Sequence, residues 1–204
     1  MNKMQLLQSL KEQGFSKEII EAFSEVKREN FISERLREYA YEDNAFSIGE
    51  GQTISQPSTI AIMLSLLETK KGQKILEIGS GCGYVLALLS VLVGEKGRVY
   101  GIERIKQLAD SSKNFLKKYR NIGVYNKNGI EGLQEKAPFD RIMISAGYDK
   151  IPAKLNSQLK ENGLIVAPLG KTHEKFMMQF QKIKGKLVLK KEIASFAFVP
   201  LIED

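Results

Sequence analysis

The chain predicts an α/β fold, a doubly wound and mostly parallel sheet with an N-terminal helical addition and a C-terminal antiparallel hairpin. Three observations carry this. Lys74 to Tyr84, KILEIGSGCGY, reads as a short apolar strand, a glycine turn and the start of the apolar helical run Val85 to Val93. Beyond it, strand-length and helix-length apolar patterns alternate, which implies parallel strands with helices on both faces. From Phe176 the pattern changes to a period of two, broken by a turn at Lys184-Gly185, and that reads as a hairpin closing one sheet edge.

In chain order, Leu6, Leu7 and Leu10, then Ile19, Ile20 and Phe23, stand at helical spacing, with Gly14 between the two helices and Ser16 as N-cap of the second. Ser33 is expected to cap a short helix running to Tyr39. From Tyr41 to Ile54 the periodicity stops and Gly49 and Gly51 lie among polar residues, so this is read as a loop, functional and mobile without ligand. A helix then starts at Ser55 to Pro57, with Pro57 in its first turn and Ile60, Met63, Leu64 and Leu67 as its stripe. After the glycine turn the expected order is strand Val99 to Ile102, helix Ile105 to Leu116, strand Val124 to Asn126 and strand Phe139 to Ser145. Helix Ile151 to Leu159, strand Leu164 to Pro168 and the hairpin follow, with Phe196 to Leu201 as one further strand. One domain is expected over residues 1–204: N-terminal helices and substrate loop in 1–56, the nucleotide-binding core in 57–170 and antiparallel strands in 171–204.

Composition excludes several classes. Cys82 and His173 are the single residues of their kinds, so neither a disulfide nor a Cys/His zinc site can form, and no metal site is expected. Met1 to Gly14 does not resemble a signal peptide and no apolar run spans a bilayer, so a cytoplasmic protein without a membrane partner is expected, as a monomer. The net charge of +7 comes from 31 basic and 24 acidic residues that are scattered rather than interleaved with aromatics, which favours a solvated surface over a stable nucleic-acid partner. His173 reads as a solvated loop side chain.

The glycine turn carries the chemistry. Gly79, Gly81 and Gly83 allow a tight reversal and close backbone approach to a ligand at the start of a helix. Glu103 ends the next strand, 20 residues past Gly83, where an acid can accept from both ribose hydroxyls. An NAD site and an S-adenosylmethionine site share that acid. The spacing here is G-x-G-x-G, not the dinucleotide G-x-G-x-x-G, and Glu77 precedes the first glycine by two, which suits a cationic methionine moiety better than a diphosphate. A turn in which Glu77 is only a structural cap is the plainer alternative.

Glu77 to Tyr84 resembles the first motif of class I S-adenosylmethionine-dependent methyltransferases, which are Rossmann-like. Ala40-Tyr41-Glu42-Asp43 with Ile48-Gly49-Glu50-Gly51-Gln52-Thr53-Ile54-Ser55-Gln56-Pro57 closely resembles the signature loop of the protein-L-isoaspartate O-methyltransferases. Phe31-Ile32, Leu36-Arg37, Ala137-Pro138-Phe139-Asp140, Ala167-Pro168-Leu169-Gly170 and Phe198-Val199-Pro200-Leu201 fall in that family's order, so the likeness covers nearly the whole chain. The resemblance implies methyl transfer from S-adenosylmethionine, leaving S-adenosylhomocysteine, to the free carboxylate of L-isoaspartyl residues in damaged proteins and peptides. The ester would then close to a succinimide that hydrolyses partly to normal aspartate. It implies cofactor contacts from Gln56, Glu77, Gly79, Ser80, Gly81, Gly83, Tyr84, Glu103, Arg104, Asn128 and Gly129. It further implies substrate contacts from Thr53, Ile54 and Ser55, with Ser55 as the catalytic residue that orients the carboxylate, a role compatible with capping the helix that follows.

The chain departs from that pattern in places. Lys127-Asn128-Gly129 replaces a usual Gly-Asp-Gly, leaving an amide oxygen to accept from the adenine amino group. Cys82 stands where Ser or Thr is usual and reads as filler, Val85 replaces a common glutamine, and Lys117 to Val124 is short. Three rival readings remain: a class I RNA methyltransferase, which typically carries Asn/Asp-Pro-Pro-Tyr where this chain has Ser145-Ala146-Gly147-Tyr148; an NAD-dependent dehydrogenase, which would need the longer glycine spacing and a proton donor that the sequence does not supply; and a non-catalytic binding module on the same fold.

Overall fold

The computed structural model describes residues 1–172 and 174–201, with only the backbone of Ala194; the expectation for His173 falls outside them. Two N-terminal helices, α1 (Lys3–Glu12) and α2 (Lys17–Glu25), begin at capped ends. Asn2 and Gln5 form a reciprocal capping box on α1, and the Ser16 side chain accepts from Ile19 N–H as expected. Two 3₁₀ turns, Arg28–Phe31 and Glu34–Tyr39, lead into the signature segment; Ser33 precedes the second but makes no side-chain cap.

The segment read as a loop is in part a hairpin, β1 (Phe46–Gly49) paired antiparallel with β2 (Gln52–Ile54). The intervening Glu50 and Gly51 have φ of 54° and 67°, the two consecutive positive values that a tight hairpin turn needs. Strands of four and three residues carry too little alternation to register as a period. Helix α3 (Pro57–Leu67) follows, with Gln56 and not Ser55 at the N-cap. Asp43 Oδ1 accepts from Ser58 N–H at 2.8 Å, so a side chain from 15 residues upstream does the capping assigned to Ser55.

The main sheet contains β3 (Lys74–Ile78), β4 (Arg98–Glu103), β5 (Ile122–Asn126), β6 (Phe139–Ile144), β7 (Leu159–Leu169), β8 (Glu174–Ile183) and β9 (Lys186–Ala197) in the order β5-β4-β3-β6-β7-β8-β9. The pairs from β5 to β7 are parallel and those from β7 to β9 antiparallel. Helices α4 (Tyr84–Val93), α5 (Lys106–Phe115) and α6 (Ala153–Gln158) complete the alternation. Strand β7 starts earlier than expected, at Leu159, because a bulge before Leu164 takes up the polar Lys160-Glu161-Asn162-Gly163 run; regular pairing resumes where the apolar residues begin. No separate strand covers Phe196 to Leu201: β9 runs through Ala197, and the remainder is clipped to Gly147 instead.

Both sheet faces are buried. Ile75, Val99, Met143 and Val166 face α3, α4 and the N-terminal helices, while Leu76, Ile102, Ile142 and Ile165 face Leu133 and Leu155. Each fully buried aliphatic side chain of this kind contributes roughly 1.5–3 kcal/mol, so the double covering fixes the strand ends that carry the site. No described helix is long and apolar enough to cross a membrane.

Candidate active site

The chain leaves β3 toward β4 and β5 on one side, then returns to place β6 on the other side of β3. The carboxyl ends of β3 and β6 therefore diverge into a crevice, the general ligand position in open α/β sheets. The glycine turn lies there, with Gly79, Gly81 and Gly83 at φ of 77°, 50° and 85°.

Four of its N–H groups are engaged. Gly79 and Ser80 N–H donate to Ile102 O at 2.8 and 3.1 Å, Gly81 N–H to Glu103 Oε2 at 2.8 Å, and Gly83 N–H to Ser80 O at 2.8 Å. The N–H groups of all three glycines therefore point to protein acceptors and not to a ligand, contrary to the simplest expectation of a cradle of free glycine N–H groups. What the glycines provide is a surface without Cβ atoms.

Two acids stand at that surface, Glu103 on the cleft wall and Glu77 buried behind it. Glu103 is 7% exposed and takes Gly81 N–H on one oxygen and Ile105 N–H on the other, both at 2.8 Å, leaving further lone pairs for hydroxyl donors. Glu77 is 1% exposed; its Oε1 accepts from Ser145 Oγ at 2.7 Å, and its Oε2 is buried without a partner. Burial pushes the Glu77 carboxyl up to about 8, against the opposing Ser145 hydrogen bond. An orphaned acid oxygen beside a loop with engaged N–H groups suits a cation, and that chemistry fits the ammonium end of S-adenosylmethionine.

Two adjoining clefts open here. The first is lined by Gly79, Gly81, Glu103, Arg104 and Gly129, and Ile48 of the hairpin reaches over it. The second is lined by Ser55, Gln56, Thr59 and Phe198. Thr53, Ser145 and Val199 line both, so the two clefts share one wall. Val199 is held there because Gly147 N–H donates to Val199 O at 2.8 Å and Leu201 N–H to Gly147 O at 2.7 Å.

The other sequence-predicted residues lie behind this lining. Ser80 is buried with its hydroxyl unpartnered, and Ile54 is 4% exposed. Gly83 opens α4 against Leu116, whose Cδ1 would stand 2.7 Å from an added Cβ. The Tyr84 ring is in the core, edge-on to Phe31 at 5.4 Å and Phe23 at 6.2 Å, and is not part of either cleft wall. Asn128 accepts from Ile130 N–H at 3.1 Å through the oxygen expected to meet adenine. Gly129, by contrast on the wall of the first cleft, admits no side chain, since Ile78 Cγ2 would lie 2.4 Å from its Cβ. Cys82 is buried, and burial raises its thiol to about 11, as befits a filler.

Sequence reasoning missed Arg28, whose guanidinium reaches Ser55 O, and Ser145, the hydroxyl shared by Glu77 and both clefts. A polar residue directly after an apolar strand at the crevice was the available signal for Ser145; nothing local marks Arg28.

The protein-L-isoaspartate(D-aspartate) O-methyltransferase family matches residues 1–204, the full chain. The chain belongs to this family. A protein-L-isoaspartate O-methyltransferase from Methanothrix thermoacetophila is 39% identical over 204 residues, covering 99% of this chain and 95% of the relative. One from Methanococcus maripaludis is 42% identical over 188 residues, covering 91% and 88%. A solved protein-L-isoaspartate O-methyltransferase superposes with a TM-score of 0.90 at 32% identity over 98% of this chain, which spans 65% of that longer chain. A Plasmodium falciparum structure assigned to the same activity, in complex with S-adenosyl-L-homocysteine, gives a TM-score of 0.86 at 25% identity over the whole of both chains.

Proposed function

We infer that this chain is a protein-L-isoaspartate O-methyltransferase that uses S-adenosylmethionine and acts on the free carboxylate of L-isoaspartyl residues in damaged proteins and peptides. The observation that carries the reading is the family match over residues 1–204, with the acid-flanked glycine surface and the Ser55 segment meeting at Thr53, Ser145 and Val199.

We assign roles as follows. Glu103 takes the ribose hydroxyls of the cofactor, Glu77 its ammonium, and Arg104 and Gly129 the walls about the adenosine. Gln56, Gly79, Ser80, Gly83, Tyr84 and Asn128 support that surface from behind or at its rim. Bound there, S-adenosylmethionine supplies an electrophilic methyl group. The acceptor carboxylate is already ionised at neutral pH, so the chain's task is positioning and not proton abstraction. Ser55 Oγ donates to that carboxylate, Thr53 and Ile54 hold the adjoining peptide, and Ile48 excludes water above Gly81. The division into residues 1–56 for substrate, 57–170 for cofactor and 171–204 for the closing strands belongs to the same proposal.

A monomer in the cytoplasm without a stable nucleic-acid partner is also proposed, supported by scattered basic residues with exposed charge pairs such as Lys17–Glu21. The deciding experiment is transfer of labelled methyl from S-adenosylmethionine to an isoaspartyl peptide, its aspartyl twin and tRNA. Label in the isoaspartyl peptide alone is expected; label in tRNA alone would establish the RNA-modifying alternative.

A further inference from the structure

We propose that Arg28 is a positioning residue for methyl transfer, the internal tether that holds the β1–β2 hairpin and the Ser55 segment closed over the two clefts. The inference rests on the function proposed above. Arg28 is fully buried, a rare position for a cation. Its Nη2 donates to Asn44 O at 3.2 Å and to Ser55 O at 2.9 Å. Asn44 precedes the hairpin and Ser55 follows it, so one nitrogen pins both ends of the element that carries Ile48 and Thr53 to the clefts. The same guanidinium lies 5.2 Å from the centroid of Tyr84, the first residue of the helix after the glycine turn. Arg28 thus joins the acceptor segment to the cofactor loop from inside the protein.

A space-filling role does not account for this residue. Its Nε and Nη1 are buried without a partner, and burial draws its pKa below the ordinary guanidinium value. An apolar side chain of similar volume would fill the site without burying a charge or orphaning two donors. What such a side chain lacks is a bond to Ser55 O. Because backbone carbonyls cannot be mutated away, the donor is where the tether is open to test.

The test uses the complete chain with Arg28→Met and Arg28→Lys, following kcat and KM for an isoaspartyl peptide, S-adenosylhomocysteine affinity, thermal unfolding, and proteolysis between residues 41 and 54. Loss of a charged hydrogen bond that orients the acceptor is expected to lower kcat/KM for the peptide about tenfold or more in Arg28→Met. Cofactor affinity should change less than about threefold, since Glu77 and Glu103 are held by β3 and β4, and hairpin cleavage should accelerate. Arg28→Lys, which keeps a donor but not the fork, should fall between the wild type and Arg28→Met. Peptide kinetics and cleavage unchanged in Arg28→Met, or peptide and cofactor losses of equal size, would overturn the proposal. Should Arg28→Met fail to fold, unchanged peptide kinetics and cleavage in Arg28→Lys overturn it equally. A wild type that methylates no isoaspartyl peptide defeats the functional reading instead, and the cleavage comparison still decides the tether.

Discussion

Glu103 accepts a hydrogen bond from Gly81 N–H at 2.8 Å, so the acid that ends β4 also holds the glycine loop over which a nucleoside would lie. Binding and loop geometry are therefore coupled through one carboxylate. Glu103→Ala is expected to weaken S-adenosylhomocysteine binding by about 1.5–3 kcal/mol, the range for hydrogen bonds to a charged group. It should lower the melting temperature as well, because Gly81 and Ile105 lose their acceptor. Calorimetric titration that finds full affinity in folded Glu103→Ala would remove Glu103 from the ribose.

Gly81 has φ of 50°, and a Cβ there would stand 3.0 Å from Ile48 Cδ1. Gly81→Val places a β-branched residue in the left-handed region and presses against the hairpin as well. We expect cofactor affinity to fall and proteolysis of the hairpin to accelerate. Gly51→Ala is the control: its φ is 67° but nothing lies within 4 Å, so only backbone strain of about 1 kcal/mol is expected, with cofactor affinity retained. Equal behaviour of the two variants would mean that Ile48 does not cover the glycine surface.

Because Asp43 and not Ser55 caps α3, Ser55→Ala separates catalysis from stability. The unfolding midpoint and cofactor affinity should stay near wild type while kcat/KM for an isoaspartyl peptide falls roughly 10-fold to 100-fold, as for one lost hydrogen bond to a carboxylate. Full activity in Ser55→Ala would take the serine out of the mechanism.

Burial raises Glu77 from an ordinary 4.5 to about 8, so in the free protein at neutral pH it holds a proton that the unfolded chain has released. The sign follows: this group's contribution to stability is complete below pH 4.5 and is lost as pH rises toward about 8. A ligand ammonium at Oε2 needs the carboxylate, so its binding expels that proton. S-adenosylhomocysteine affinity should accordingly rise with pH and level off above about 8. Titration at pH 7 in buffers of different ionisation enthalpy should report release of about one proton, and Glu77→Gln should abolish it. Proton release persisting in Glu77→Gln would place the titrating group elsewhere.

The sequence by itself determined the α/β alternation, the edge hairpin, the glycine turn with Glu77 and Glu103, and the family, because each is written in local periodicity or in a contiguous run such as Ile48 to Pro57. It was weakest where an element is short or irregular: β1 and β2 are three or four residues long, and the bulge ahead of Leu164 hides the start of β7. Only the tertiary structure decided which partners the polar groups take. The Asp43 cap on Ser58, the Ser145 bond to Glu77 across 68 residues and the Arg28 hold on Ser55 join residues far apart in the chain. Periodicity reports which way a side chain faces along its own element, whereas a buried donor or charge finds its partner only after the strands and the hairpin have packed, when water no longer competes for it.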